Sequence, residues 1–338
     1  MVTIYDIAKM AGYSPATVSK AFNNYRGVNI KTYEKIMEIS KTLDYTPNNN
    51  ARALVTKKTW LLGVLFSEDV GTGIIHPHFG EILQSFQIRA GLQGYDVVFI
   101  NKRLGNKEYS YLEHCLYRGV DGVLLAAGAG YTQEIQSVLS SNIKCVSVEM
   151  VYPNNYTVVS DNRMGSMQAL EYLYFLGHRK IAHIACPLQS LAGHERYDAY
   201  KEFLEIKGLS QNPKYFVEVE NFLPEAGAKA ATKLLQQSLE DLPTAVYIAY
   251  DDGACSAMTM FEKQGFRIPE DLSIVGFDNL KVTGFTSPAL TTIEQDRETI
   301  GQKACDTLIK LIEDNTMGSP CEIRIPTKLI VRNSCTRI

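Results

Sequence analysis

Four residues near the start of the chain have the types and spacing to touch an anionic polymer: Ala16, Thr17, Ser19 and Lys20. Ser14 stands where a helix N-cap is needed, and Pro15 where a first helical residue is favoured. Val18, Ala21 and Phe22 give the helix that follows an apolar face. The small, hydroxyl and ammonium side chains are left on the rest of its surface. A short helix with such a face, held at an angle by a preceding helix, fits a DNA major groove.

The elements around that helix are those needed to hold it. Ile4, Ile7, Ala8 and Ala11 recur at helical spacing, which predicts an earlier helix with one apolar face. Gly12 follows, as a residue that tolerates positive φ should. Tyr33, Ile36, Met37, Ser40 and Leu43 form a stripe that predicts a third helix over 30–44, closing a small core before Pro47. The next segment, Asn48 to Leu54, is short and has weak intrinsic helix preference, so it reads as a linker or as a helix formed only with support. Residues 1–58 hold seven Lys and two Arg against four acidic residues, a net charge of +5, while the remainder carries −8. A basic head on an acidic body points to an anionic polymer bound by the head alone.

From residue 60 the pattern changes. Apolar strand candidates at Leu61–Phe66, Val97–Ile100, Val120–Leu125, Cys145–Val148, Ile181–Ala185, Val246–Ala249 and Ile274–Phe277 alternate with amphipathic helices. Gly94, Gly119, Gly177 and Gly265 stand where helices would end. Such alternation predicts parallel, doubly wound sheets, and about 280 residues suggest two similar lobes with a ligand cleft between them. Asp278, at the end of an apolar strand, is where open α/β sheets place ligands.

Other classes are disfavoured. Gly71-Thr-Gly73 and Gly128-Ala-Gly130 are neither GxGxxG nor a P-loop, and no GxSxG elbow occurs, so no catalytic residues and no cofactor are expected. His76 and His78 lie two apart, but no partner ligands stand at metal-site spacing. Seven dispersed cysteines without a CxxC pair suggest reduced thiols. Asp6 and Lys9 interrupt any signal-like apolar core, and no apolar run approaches the roughly 20 residues that span a bilayer. These features predict a cytoplasmic protein with no membrane partner.

The N-terminal run, the Pro47–Leu54 segment, and the motifs Val159-Ser-Asp-Asn162, Leu176-Gly-His-Arg-Lys-Ile181, Ile274-Val-Gly-Phe-Asp278, Pro288-Ala-Leu-Thr-Thr-Ile293 and Val331-Arg-Asn-Ser-Cys335 resemble, in order, the LacI/GalR family of bacterial transcription regulators. The resemblance implies a small all-α helix-turn-helix head (1–46), a hinge helix and linker (47–59), and an α/β core of two doubly wound, periplasmic-binding-protein-like lobes. The first lobe is placed at 60–161 with 293–323, and the second at 162–292 with 324–338. It further implies operator DNA and a small-molecule effector as partners, and a homodimer on a near-palindromic site.

Matched residue by residue, the resemblance puts Pro15, Ala16 and Lys20 against base edges, with Thr17 and Ser19 nearer the phosphates. Lys20 is the base reader, since an ammonium can donate to guanine O6 and N7; a phosphate contact is its alternative. Leu54 matches a minor-groove wedge, with Arg52 and Asn50 holding backbone or groove atoms. Arg196 and Asp278 match effector-binding residues, a guanidinium fork and an acid suited to sugar hydroxyls. Phe79 and Phe222 match aromatics that cover a sugar face, or fill the core. Tyr250 replaces an amide usual in the family. The loop 67–78 is long and can bring Glu68, Asp69, His76 or His78 to the pocket mouth. The expected function is a repressor of carbohydrate-utilisation genes controlled allosterically by a sugar or sugar derivative, ahead of a nucleobase or another metabolite. The alternative is a sugar-binding sensor without operator specificity.

Overall fold

The computed structural model describes residues 2–23, 27–45, 58–66, 73–126, 132–314 and 318–338. The chain separates into two compact units, Met1–Trp60 and Leu61–Ile338. The candidate hinge residues Asn50, Arg52 and Leu54, and the loop residues Glu68 and Asp69, lie outside the described residues.

In the smaller unit, α1 (Ile4–Ala11), α2 (Pro15–Asn23) and α3 (Ile30–Thr42) follow the predicted order. Gly12 adopts φ 74° and its N–H closes α1 onto Ala8. Ile7, Ala8, Ala11, Val18, Ala21 and Ile36 are buried together, so each helix contributes its apolar stripe to one core. The side chain of Asn29 caps α3 by accepting from the Lys31 N–H.

The larger unit holds two six-stranded sheets and the helices that cover them. The first lobe contains β1 (Leu61–Phe66), α4 (Pro77–Leu92), β2 (Asp96–Phe99), a hairpin of β3 (Arg103–Leu104) and β4 (Lys107–Glu108), α5 (Tyr111–Arg118), β5 (Gly122–Ala126), α6 (Gln133–Leu139), β6 (Lys144–Val148) and β7 (Tyr156–Ser160). The second contains α7 (Asn162–Phe175), β8 (Ile181–Ala185), α8 (Leu191–Ile206), β9 (Phe216–Glu218), α9 (Pro224–Ser238), β10 (Ala245–Ile248), α10 (Asp251–Lys263), β11 (Ser273–Asp278) and β12 (Thr291–Gln295). The chain then returns through α11 (Arg297–Glu313) and β13 (Glu322–Ile325), and ends its regular structure with β14 (Thr327–Ile330).

The strand orders are β13-β7-β6-β5-β1-β2 and β14-β12-β11-β10-β8-β9. All pairings within them are parallel except that of β12 with β14. Strands β5, β8 and β10 are buried along their whole length, as expected when helices cover both faces. In each sheet the order turns around the first strand, so switch points lie between β1 and β5 and between β8 and β10.

Three passages connect the lobes. The first comes between Ser160, the end of β7, and Asn162, the start of α7. The second falls after Gln295, because β12 stays in register with β11 and β14 past the expected residue 293. The third falls at Pro326, because β13 pairs with β7 as far as Ile325 rather than leaving the first sheet at 323. Helices α4 and α11 are pressed together beside the second passage. A Cβ on Gly301 would stand 2.4 Å from the carbonyl oxygen of Ile82, so only glycine permits this approach.

All seven cysteines are free, and Cys115, Cys145, Cys186 and Cys305 are buried. Among the described residues no helix is long and apolar enough to cross a membrane.

Candidate functional site

On α2 the side chains divide as the spacing predicts. Val18 and Ala21 are buried, Thr17 and Ser19 are half-buried, and Pro15, Ala16 and Lys20 are exposed. The N-cap is built by Ser14, whose Oγ accepts from the Thr17 N–H at 3.1 Å and lies 2.8 Å from the Thr17 hydroxyl. Thr17 thus helps fix the start of the helix. Pro15, Ala16 and Lys20 form the exposed patch on its first turn and a half.

The second site is assembled where the lobes meet. Arg196 lies in α8, one turn after Ser190 caps that helix through the Gly193 N–H. Its guanidinium is almost fully buried and lies over the Phe277 ring at 3.6 Å. Nε donates to Asn162 Oδ1 at 2.9 Å, and Nη1 donates to the carbonyl of Ala249 at 2.5 Å. That carbonyl lies just past the end of β10, at the switch point of the second sheet. Asp278 Oδ1 stands 3.9 Å from Nη1.

Asp278 ends β11 in an unusual backbone conformation, φ 126°, and Asn279 follows at φ 53°. Such angles cost about 1–3 kcal/mol each for residues with a Cβ and persist where surrounding contacts impose them. Gln295 donates to Asp278 Oδ1, and Arg297 donates to the Asp278 carbonyl at 2.5 Å and the Asn279 carbonyl at 3.4 Å. Asp251, fully buried beneath, accepts from Thr292 Oγ1 at 2.6 Å and from the Leu280 N–H at 2.9 Å. Burial first, and then the neighbouring Asp278 charge, push its carboxyl well above the ordinary range.

The first lobe supplies the facing groups. Glu149, at φ 56°, accepts from the Ser160 N–H at 3.1 Å and Oγ at 3.0 Å, and His78 Nε2 lies 3.7 Å away. Burial raises its carboxyl pKa, but His78, Ser160 and Arg196 outweigh this and hold it below the ordinary value. The same hydroxyl lies 2.5 Å from Gln295 Oε1, so its single proton is shared between that oxygen and Glu149. A polar chain therefore runs from His78 and Glu149 of the first lobe through Ser160 and Gln295 to Asp278 of the second. A second chain runs from Arg196 through Asn162 to Glu195, which Arg324 of the first sheet grips at 2.6 and 3.1 Å.

Of the residues expected here, Arg196, Asp278 and His78 fall within this assembly. Phe79 is half-buried beside His78 and Phe66, with ring centroids 5.1 and 5.7 Å away. Phe222 is half-buried against the second-lobe core and meets Tyr250 edge-on at 5.8 Å. Tyr250 departs from its expected role. Its ring is buried against Gly253, and its hydroxyl donates to the carbonyl of Leu223 at 3.3 Å, which spends its polar end within the second lobe. Glu149, Ser160, Gln295, Asn162, Glu195 and Arg297 escaped the sequence reading. Ser160 and Asn162 stood in a recognised motif and Glu195 beside the matched Arg196, but nothing local marks Glu149, Gln295 or Arg297.

A helix-turn-helix head and a two-lobed, ligand-binding core define a transcription regulator that answers to a small molecule, a class that carries no catalysis. Residues 3–48 match the model of bacterial regulatory proteins of the lacI family, and residues 170–335 match a periplasmic binding protein-like domain. The chain is 33% identical to the HTH-type transcriptional repressor PurR of Haemophilus influenzae (strain PittEE), with both chains covered completely. It is 32% identical to the repressor of the same name from Pasteurella multocida (strain Pm70), covering 99% of this chain and 98% of that one. Among solved structures, the lac repressor dimer bound to operator and the anti-inducer ONPF matches with TM-score 0.80, 27% identity and 99% coverage of each chain. The CelR–cellobiose complex matches with TM-score 0.72 and 26% identity, covering 99% of this chain and 100% of that one. The protein belongs to the lacI family of bacterial transcription regulators and is not an enzyme.

Proposed function

We propose that the protein is a repressor that binds a near-palindromic operator as a homodimer and is controlled by a neutral, hydroxyl-rich effector, a sugar or sugar derivative, held between the lobes. The observation that carries the effector reading is the pair of buried Arg196 and half-buried Asp278 at the second-lobe switch point, faced by Glu149 of the first lobe. Two carboxylates offer many acceptor positions, and the one guanidinium is already shared among Asn162, Ala249 and Asp278. Such a lining suits hydroxyl donors and opposes an anionic, phosphorylated ligand. The CelR structure, whose partner is cellobiose, supports a carbohydrate.

On the DNA side, Pro15, Ala16 and Lys20 read base edges, with Thr17 and Ser19 toward phosphates. Asn50, Arg52 and Leu54 act in the minor groove through paired hinges. The dimer of the lac repressor neighbour and the symmetry of operators support two copies. A DNA-binding head and a sugar effector agree with work in the cytoplasm on carbohydrate-utilisation genes.

The test is selection of genomic fragments by the purified full-length protein at roughly physiological salt, since phosphate contacts dominate nonspecific binding. Neutral sugars, sugar phosphates and nucleobases are then titrated against the recovered fragment. Release or tightening by a neutral sugar alone is expected. A flat nucleobase is the second reading, favoured by the half-buried ring of Phe79, and its action in place of sugars would replace the first. No enriched fragment would leave the sensor without operator specificity.

A further inference from the structure

Arg297 is the first residue of α11 and has the most unusual set of partners near the effector site. It is nine-tenths buried. Nη1 donates to the Asp278 carbonyl at 2.5 Å and Nη2 to the Asn279 carbonyl at 3.4 Å. On the other side, Nε donates to Glu81 Oε2 of α4 at 2.6 Å. One guanidinium therefore grips the left-handed turn of the second lobe with one edge and a first-lobe helix with the other.

The two ends differ in stiffness. On the first-lobe side α4 and α11 are locked. Gly301 admits no side chain against Ile82, Ser85 Oγ donates to the Glu298 carbonyl at 2.7 Å, and Arg89 forks onto Asp306 at 2.6 and 3.0 Å. On the second-lobe side the grip falls on two residues whose backbone angles side-chain residues rarely adopt. Within that lobe Arg332 and Thr292 hold Asn279. Among the described residues, Arg297 supplies the hydrogen bonds that reach this turn from the first lobe, and Lys281 adds an exposed ion pair to Glu81 at 3.5 Å.

We propose that Arg297 is a positioning residue that couples the effector-site acid to the first lobe, holding the Asp278–Asn279 turn in its left-handed form against the anchor Glu81. A ligand that moves the Asp278 carboxylate shifts the carbonyl to which Arg297 is bound. The guanidinium then pulls on, or releases, a pair of helices that cannot repack independently. The signal passes through two carbonyls and one carboxylate, with no contact between ligand and Arg297 required.

The proposal rests on Asp278 as an effector residue, but the coupling is measurable in the ligand-free, full-length protein. Amide hydrogen exchange is followed in peptides covering 278–284 and 77–84 for Glu81→Gln, Arg297→Lys, Arg297→Gln and Lys281→Gln. Glu81→Gln touches no backbone group of the turn, yet exchange at 278–284 is expected to rise at least fivefold. Arg297→Lys keeps a positive charge beside Glu81 but loses the fork, and is expected to do the same. Lys281→Gln, which removes only the exposed arm, should leave the rate unchanged. Wild-type exchange at 278–284 in Glu81→Gln overturns the proposal, as does a Lys281→Gln variant that reproduces the full effect. If Arg297→Gln does not fold, the other three variants still decide. Failure to find a sugar effector leaves this result untouched, so the two readings fail separately.

Discussion

The guanidinium of Arg196 lies 2.5 Å from the carbonyl oxygen of Ala249 but 3.9 Å from the carboxylate of Asp278. The cation is anchored by backbone, by the Asn162 amide and by the Phe277 ring face, and the acid remains at longer range. Under the proposed function, a ligand hydroxyl entering beside them would meet a donor and an acceptor that do not have to leave their anchors. Preorganisation of this kind favours binding, because the ordering is complete before the ligand arrives.

The first prediction follows. Arg196→Lys keeps the charge but cannot serve Asn162, Ala249 and a ligand together. Hydrogen bonds to charged groups contribute about 1.5–3 kcal/mol, so effector affinity should fall roughly 10- to 150-fold. Operator affinity without effector should stay as it is. Titrating the releasing sugar against the protein–operator complex checks both, and an unchanged midpoint would remove Arg196 from the ligand site.

A second prediction concerns the head. Lys20 is exposed on the first turns of α2, with Pro15 and Ala16 beside it. Lys20→Ala should relax preference at one operator position, by about 1–3 kcal/mol between the best and next base. Measuring affinity across a set of single-base operator variants separates the roles. Equal weakening on every sequence would assign the ammonium to a phosphate instead.

Acid should weaken the core through His183. Its ring stacks near Tyr200 and Tyr247, with centroids 4.9 and 4.7 Å away, and Nδ1 lies 3.0 Å from the Tyr247 carbonyl. Burial holds its pKa down, to about 3, and burial likewise lowers that of His178. In the unfolded chain histidine titrates near roughly 6.5. Below that value the unfolded state binds a proton that the native state refuses, so stability falls as pH drops from about 6.5 toward 3. The urea midpoint of His183→Phe should depend less steeply on pH across this window. A slope equal to that of the wild type would place the acid sensitivity elsewhere.

Gly193 offers a test of how α8 positions Arg196. An added Cβ would stand 2.1 Å from the carbonyl oxygen of Pro187, so the helix start must move. Gly193→Ala should cost about 1–3 kcal/mol in stability, the usual range for forced overpacking. It should also weaken effector binding more than operator binding. Thermal unfolding and the same sugar titration measure the two effects, and a variant normal in both would show that the loop yields.

Much of the fold was legible because the elements carry strong local signals. Leu61–Phe66 and Ile181–Ala185 coincide with strands because a largely buried parallel strand reads as a mainly apolar run, broken in the second only by His183. Gly94, Gly119, Gly177 and Gly265 all have positive φ, as helix ends require. Strands β13 and β14 lacked such a signal. Each is four residues long, lies at a sheet edge and mixes polar or charged side chains with apolar ones. The site divides in the same way. Asp278 stood in a local motif and Arg196 was reached by its match to the family, whereas Gln295 meets Ser160 across 135 residues of sequence and Arg297 meets Glu81 across 216. No spacing rule reaches that far; only the closure of the two sheets brings these groups together.

The triple passage of the chain between the lobes bears on how the protein is made. Each sheet takes its last strand from the stretch 322–330, and β13 lies beside β7 while β14 lies beside β12. A nascent chain leaving the ribosome therefore carries two unfinished sheets, each with an exposed edge, until that stretch emerges. The head, a compact unit with a core drawn from its own three helices, can fold from the start. During synthesis a chain thus passes through a period in which it can already meet DNA but cannot yet sense its effector.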